Sequence, residues 1–155
     1  MIRLPIETER LVIRPLRLAD AAEMGESPEW IQEKIDRFER DGGMSLWAVV
    51  VRASGRAAGL AGVQWEEIDG RRELDLGCVI GKDHRRLGYA TEASRAVLQA
   101  AFSAGYERVT AMTGLENAPA LAVLQRLGFM YERETTWDGR AYALHALEQP
   151  IEAGA

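Results

Sequence analysis

Two arginines and a glycine stand immediately before a run with helical periodicity, in the stretch HRRLGYATEASRAV from His84 to Val97. This basic cluster belongs to a chain whose formal net charge is −5. The first four N–H groups of a helix lack intrahelical partners, and the helix dipole adds partial positive charge there. A glycine at such a start lets a ligand approach the backbone closely. Arg85, Arg86, Gly88 and Ala90 therefore form a candidate cradle for pyrophosphate, with Leu87 and Tyr89 offering backbone N–H groups. A glycine-containing turn carrying solvated arginines is the plainer reading of the same residues.

The strand ahead of this loop supplies the second set of reactive groups. In RRELDLGCVI, Leu74, Leu76, Cys78 and Ile80 point one way, and Glu73, Asp75, Gly77 and Val79 point the other. One face is apolar, while the other carries two carboxylates and then a bare glycine. Asp75 or Glu73 could take a proton from a reacting group, directly or through water. Each could equally be a solvated carboxylate paired with Arg71 or Arg72. Glu66 and Glu67, before the preceding turn, are weaker candidates. Cys78 lies on the apolar face and reads as a small packing residue rather than a nucleophile. His84 reads as a loop residue and His145 as a packing or surface residue. No Cys/His cluster has metal-ligand spacing, and Ser103 has no triad around it. Trp30, Trp47, Trp65 and Trp137 suit packing better than a pocket lining.

These groups must be positioned by an α/β layout. ERLVIRPLR (Glu9 to Arg17) predicts a strand. LADAAEM and PEWIQEKIDRFERDG predict two short helices, the second with Trp30, Ile31, Ile35 and Phe38 on roughly one face. Pro28 suits its first turn, and Gly42 and Gly43 suit its end. Three strands follow between Ser45 and Gly81, with turns at Ser54-Gly55 and Asp69-Gly70. A helix from Gly88 to Ala104 carries an apolar stripe of Ala90, Ala93, Val97, Ala100, Ala101 and Ala104, capped by Gly105. YERVTAMTG predicts a strand. Pro119 opens a last helix, with Leu121, Leu124 and Leu127 inward and Gly128 at its end. FMYERETTW and AYALHAL predict two closing strands around Asp138-Gly139. The order is strand, two helices, three antiparallel strands, helix, strand, helix, two strands, which is not a repeated βαβ unit.

Bulk properties narrow the classes. The 155 residues suit one domain with one core, spanning 1–155. Hydrophobic residues are 47% and charged residues 28%, as in ordinary globular chains. The acidic balance argues against a nucleic-acid binder. No apolar run is long enough to span a membrane, and the charged start does not resemble a secretory signal. One cysteine permits no internal disulfide, so a cytoplasmic protein is expected.

The order of elements and the motif RRLGYATEA resemble the GNAT superfamily of acyl-CoA-dependent N-acetyltransferases. The family's pyrophosphate loop, Q/R-x-x-G-x-G/A, is matched by Arg85 to Ala90. More narrowly, the chain is similar to the RimJ/RimL-type branch, which acetylates protein N-termini and various small amines. ETERLVIRPLRLADA is similar to that branch's first strand and LDLGCVI to its E-I-G-Y-W-L strand. GYATEA matches closely, and Asn117 to Phe129 follow its N-x-x-x-x-x-V-x-Q-R-L-G-F helix. The resemblance covers nearly the whole chain. It implies a mixed, mostly antiparallel sheet of about seven strands, splayed in the middle and flanked by about four helices.

The resemblance also implies acetyl-CoA as co-substrate, no metal, and a small-molecule or peptide amine as acceptor, in a monomer or homodimer. Nucleic acid and membrane partners are not expected. Asp75 aligns with the glutamate of the E-I-G segment and becomes the base candidate, with Glu73 beside it. Cys78, Val79 and Ile80 would pair with the pantetheine arm. Arg85, Arg86, Leu87, Gly88, Tyr89, Ala90 and Thr91 would hold the pyrophosphate, and Asn117 would contact the cofactor or cap its helix. Two departures matter. The tyrosine that many members use to protonate the leaving thiolate corresponds to Leu124. The serine usual three residues after the asparagine is Ala120. Tyr131 and Tyr142 are possible substitutes. The expected activity is acetyl transfer to a primary amine. The alternatives are a non-catalytic acyl-CoA-binding module and a nucleotide- or phosphate-binding domain using the loop alone.

Overall fold

A computed structural model describes residues 1–149. The elements in chain order are β1 (Ile6–Glu7), β2 (Leu11–Arg14), α1 (Asp20–Met24), α2 (Pro28–Arg40), β3 (Ser45–Val51), β4 (Ala57–Ile68), β5 (Arg71–Ile80), α3 (Tyr89–Ser103), β6 (Arg108–Thr113), α4 (Ala118–Leu127), β7 (Met130–Trp137) and β8 (Arg140–Glu148). One eight-stranded sheet runs β1-β2-β3-β4-β5-β6-β8-β7. All neighbours are antiparallel except β5 and β6. The expected mixed, mostly antiparallel sheet with four helices is therefore observed. The eighth strand is the two-residue β1, too short to show periodicity in the sequence.

Local chemistry explains the element ends. Asp69-Gly70 and Asp138-Gly139 both turn with positive φ at each residue, the twist that suits two-residue hairpins. Ser27 caps α2 by accepting the Trp30 N–H at 3.1 Å, and Pro28 occupies its first turn. Gly25 and Gly128 end α1 and α4 in the left-handed region. The first strand is shorter than Glu9 to Arg17. It stops at Arg14, whose guanidinium is held by both oxygens of Asp20 at 2.9 Å. That bidentate pair docks α1 onto β2. Burial alone would raise the Asp20 carboxyl, but Arg14 and the Arg17 amide outweigh it and hold the pKa low.

The two sheet faces bury different material. Toward α3 and α4 lie Leu11, Ile13, Trp47, Val49, Ala61, Val63, Leu74, Leu76, Val109 and Ala111, packed with Ala93, Val97, Leu98, Ala101 and Leu124. Trp47 is fully buried, so its loss would cost about 3–5 kcal/mol. The α3 stripe is rotated slightly from expectation. Ser94 and Leu98 join the buried side, while Ala90, Ala100 and Ala104 flank it. On the opposite face, α1 and α2 cover Leu46, Ala48 and Leu60 with Leu16, Ala21, Met24 and Ile31.

Between β5 and β6 the sheet is almost divided. A single residue pair, Asp75 with Thr110, bridges them. Beyond Asp75, β5 continues to Ile80 paired only with β4 on its other side. This is the expected central splay.

Candidate active site

The loop after β5 is built to present amides. A 3-10 turn spans Lys82–His84, and Arg85 is extended. Arg86 then enters the left-handed region at φ 65°, as does Gly88 at 83°. Arg86 is a non-glycine residue in that region, a conformation costing about 1 kcal/mol. Gly88 is the N-cap of α3 and provides no side chain for its first turn. A Cβ on Gly88 would stand 3.3 Å from the Arg10 guanidinium.

Arg10 is a part of this site not anticipated from the sequence. Its Nη1 donates to the Leu87 carbonyl at 2.8 Å, and its guanidinium lies 4.6 Å from the centre of the Tyr89 ring. Its Nε donates to Glu92 Oε1 at 2.6 Å, while Thr8 Oγ1 donates to Glu92 Oε2 at 2.6 Å. Burial would raise Glu92, but the bonds from Thr8 and Arg10 prevail and keep its pKa low. The β1–β2 turn thus clamps the loop onto α3. The only sequence sign was that Glu92 lies off the apolar stripe. A groove of about 500 Å³ runs from Gly88 and Thr91 along α3 past Arg95 to Arg126.

The carboxylate face of β5 is buried, contrary to the solvated alternative. Glu73 and Asp75 are 7% and 8% exposed. They are held very differently. Glu73 Oε2 accepts from Arg108 Nε at 3.0 Å, with Arg71 a looser 4.0 Å away. Arg108 also binds Glu132 and Glu148, and these three carboxylates, Glu132 foremost, hold it more firmly protonated. Glu66, opposite Glu73 across the β4–β5 pair, is held by Arg37 at 2.6 Å.

Asp75 makes no ion pair among the described residues. Its Oδ1 accepts from the buried Thr110 hydroxyl at 2.8 Å. Burial pushes its pKa up to about 8. The Thr110 bond works against that rise, and the charges of Glu66 and Glu73 add to it. An acid with that pKa accepts and releases protons near neutral pH. On the same face Gly77 lies close to Leu46, and Val79 is 38% exposed.

The remaining candidates separate. Cys78 packs against the α3-side core, and burial raises its thiol to about 11. Ile80 lends its carbonyl to Arg85 Nε at 3.0 Å. Asn117 uses its side-chain oxygen to cap α4 at the Ala120 N–H, 3.2 Å away, and its amide NH₂ has no hydrogen-bond partner among the described residues. Leu124 is core, as its apolar character requires. Tyr131 packs edge-on against His145 on the β7 side, and Tyr142 against Trp137. His145 is buried, 3.2 Å from Thr113 Oγ1, and burial lowers its pKa. Among the described residues, no group of His, Cys, Asp and Glu is placed to hold a metal, and no helix is long and apolar enough to cross a membrane.

The α2 side of Asp75 was not visible in the sequence pattern. Gln64, directly opposite Asp75, is buried and accepts from Lys34 Nζ at 3.4 Å. Lys34 is 7% exposed, one turn from Trp30 and Ile31 on the inward face of α2. Beside it a cavity of about 220 Å³ is lined by Pro15, Leu16, Lys34, Ile35, Phe38, Glu39 and Leu46.

The chain also matches one family model. Residues 23–130 match the acetyltransferase (GNAT) domain. The chain belongs to the GNAT family. Among curated proteins, it is similar to the uncharacterized protein YkkB of Bacillus subtilis, 26% identical over 106 residues, or 68% of this chain. It spans 61% of that relative's length. The GNAT fold recurs in solved structures. An acetyltransferase from Agrobacterium tumefaciens superposes with a TM-score of 0.80 at 20% identity, covering 96% of each chain. Mycobacterium smegmatis RimJ, in complex with CoA-disulfide, gives 0.71 at 21% identity, covering 89% of this chain and 81% of that one. At such identities the likeness is one of fold.

Proposed function

We propose that the 155-residue chain is a single acetyltransferase unit that moves an acetyl group from acetyl-CoA to a primary amine. Support comes first from Asp75, a buried carboxylate free of arginine at the one bridge between β5 and β6. The loop fits a diphosphate because Arg86 and Gly88 turn its backbone and no side chain caps the first turn of α3. Arg85, Arg86 and the amides from Leu87 to Thr91 would hold the pyrophosphate. Arg95 and Arg126, along the adjoining groove, would face the remaining phosphate. The unpaired edge of β5 from Cys78 to Ile80 would pair with the pantetheine arm, and a backbone N–H beside Val79, that of Cys78 or Ile80, would donate to the acetyl oxygen, because Val79 itself is the hydrogen-bonded partner of Leu60 in β4. The Asn117 amide would contact the same arm.

When bound, the thioester supplies an electrophilic carbon: the N–C bond forms as the C–S bond breaks, and CoA leaves as thiolate. Asp75, once ionised, takes the proton of the incoming ammonium, directly or through one water. The charges of Glu66 and Glu73, each paired with an arginine, raise the proton affinity of Asp75. With Leu124 and Ala120 in place of the usual donors, the thiolate takes its proton from water, as a thiol pKa of about 8.5 permits. The loop and helix motifs favour the RimJ/RimL-type branch, and the similar RimJ structure was solved with CoA-disulfide. The single cysteine, which permits no internal disulfide, favours a cytoplasmic location.

The test is CoA release across an amine panel, together with acetyl-CoA binding and competition by ATP. Release with at least one amine, and ATP competing far more weakly than CoA, are the expected results. Binding of acetyl-CoA without turnover of any amine would favour a non-catalytic acyl-CoA-binding module. Equal competition by ATP would favour a nucleotide-binding domain.

A further inference from the structure

Charge pairing on the α2 side of the sheet leaves two groups incompletely matched. Arg37 neutralises Glu66, and Arg108 neutralises Glu73. Among the described residues Asp75 has no cation, and Lys34 has no carboxylate to itself. Its ammonium touches Glu33 at 3.1 Å, but Glu33 is half exposed and also binds Arg37 at 3.1 Å. The bond from Lys34 to Gln64 is long at 3.4 Å, and Trp30 lies 5.4 Å away as a cation–π neighbour. A buried ammonium with three donors and so little satisfaction is costly unless a partner arrives. Lysine is also scarce here, since Lys34 and Lys82 are the only two among 19 basic residues.

These two groups are close in the fold. Gln64, which receives Lys34, is the cross-strand partner of Asp75. Such partners have Cβ atoms about 5 Å apart. One small molecule carrying an amine and an anion on adjacent atoms can therefore meet Asp75 with one end and Lys34 with the other. Next to Lys34 lies the 220 Å³ cavity, walled mainly by Leu16, Ile35, Phe38 and Leu46. Engineered apolar cavities of about 150 Å³ accept benzene, so this one takes a branched aliphatic or phenyl group. Leu46 is shared with the reaction face, since a Cβ on Gly77 would stand 2.7 Å from its Cδ2.

We propose that the acceptor is a free α-amino acid with a compact apolar side chain. Its amine faces Asp75, its carboxylate pairs with Lys34, and its side chain enters the cavity between α2 and the Pro15-Leu16 segment. A peptide N-terminus has no carboxylate at that distance. A polyamine would meet one unpaired acid and an opposing ammonium. The inference rests on the acetyl-transfer reading above and narrows its acceptor.

The experiment follows CoA release from acetyl-CoA with leucine, phenylalanine, glycine, leucinamide, isoamylamine, a leucyl dipeptide and spermidine. In wild type, leucine or phenylalanine should exceed leucinamide, the dipeptide and glycine by about tenfold or more in kcat/KM, the scale of one charge-assisted contact. Lys34→Met should bring the leucine-to-leucinamide ratio toward one, and Lys34→Arg should retain part of it. Leucinamide, the dipeptide or spermidine matching or exceeding leucine in wild type would overturn the inference while leaving acetyl transfer standing. So would an unchanged leucine-to-leucinamide ratio in a folded Lys34→Met. Absence of CoA release with every amine would overturn the acetyl-transfer reading itself. The wild-type comparison decides even if Lys34→Met fails to fold.

Discussion

The loop ahead of α3 and the carboxylate row adjoin one another but are assembled in opposite ways. The loop is continuous, with its turning residues and amides all between Lys82 and Thr91. Only its clamp, Arg10 and Thr8, comes from afar. The row is discontinuous, drawing Lys34 from α2, Gln64 and Glu66 from β4, Glu73 and Asp75 from β5, and Arg108 and Thr110 from β6. Local backbone geometry therefore shapes the first region. Long-range pairing decides in the second which of three acids lacks a cation.

That contrast predicts separable losses. The largest is expected for Asp75→Asn. The turnover should fall about 100-fold or more, the lower end of general-base effects, while calorimetric affinity for acetyl-CoA stays within about threefold. Parallel loss of both would merge the two regions. Gly88→Ala should do the reverse. It places an alanine at φ 83° and 3.3 Å from Arg10. Strain of about 1–2 kcal/mol should weaken acetyl-CoA binding about tenfold and leave kcat at saturation within a few-fold. Smaller still is Glu73→Gln. Arg108 keeps Glu132 and Glu148, so stability should fall by only about 1 kcal/mol in urea denaturation, with kcat within about threefold. A loss as large as that of Asp75→Asn would make Glu73 the base.

The same contrast explains what could be foreseen. The glycine and arginines of the loop, the DG hairpins and the Pro and Gly at helix ends act on neighbouring residues, so one-dimensional spacing carries them. Alternation along β5 likewise separated Asp75 from Leu74. It did not reveal that Glu73 and Asp75 are buried, because their partners Arg108 and Thr110 come from distant sequence. The choice between Glu73 and Asp75 depends on Arg108 and Thr110, each 35 residues away from its partner. Lys34 shares the spacing of Trp30, Ile31 and Phe38, but a lysine there reads as solvent-facing until the sheet is seen beneath it. Arg86 shows no sequence sign of its positive φ, since non-glycine residues adopt it only when surroundings impose it.

The pH dependence of kcat for wild type and Asp75→Asn, at saturating acetyl-CoA and amine, tests the central claim most directly. Asp75 must ionise to accept a proton, so the wild-type rate should rise with pH and inflect near 8. Asp75→Asn should lack that inflection. Folding is linked to the same proton: a carboxyl raised from its unfolded value of about 3.9 contributes stability below that pH and loses it as pH climbs toward 8. Wild type should accordingly lose stability between about pH 4 and 8 in urea denaturation relative to Asp75→Asn. An identical rate profile for the two proteins, inflection included, would contradict the assignment of Asp75 as the group that takes the amine's proton.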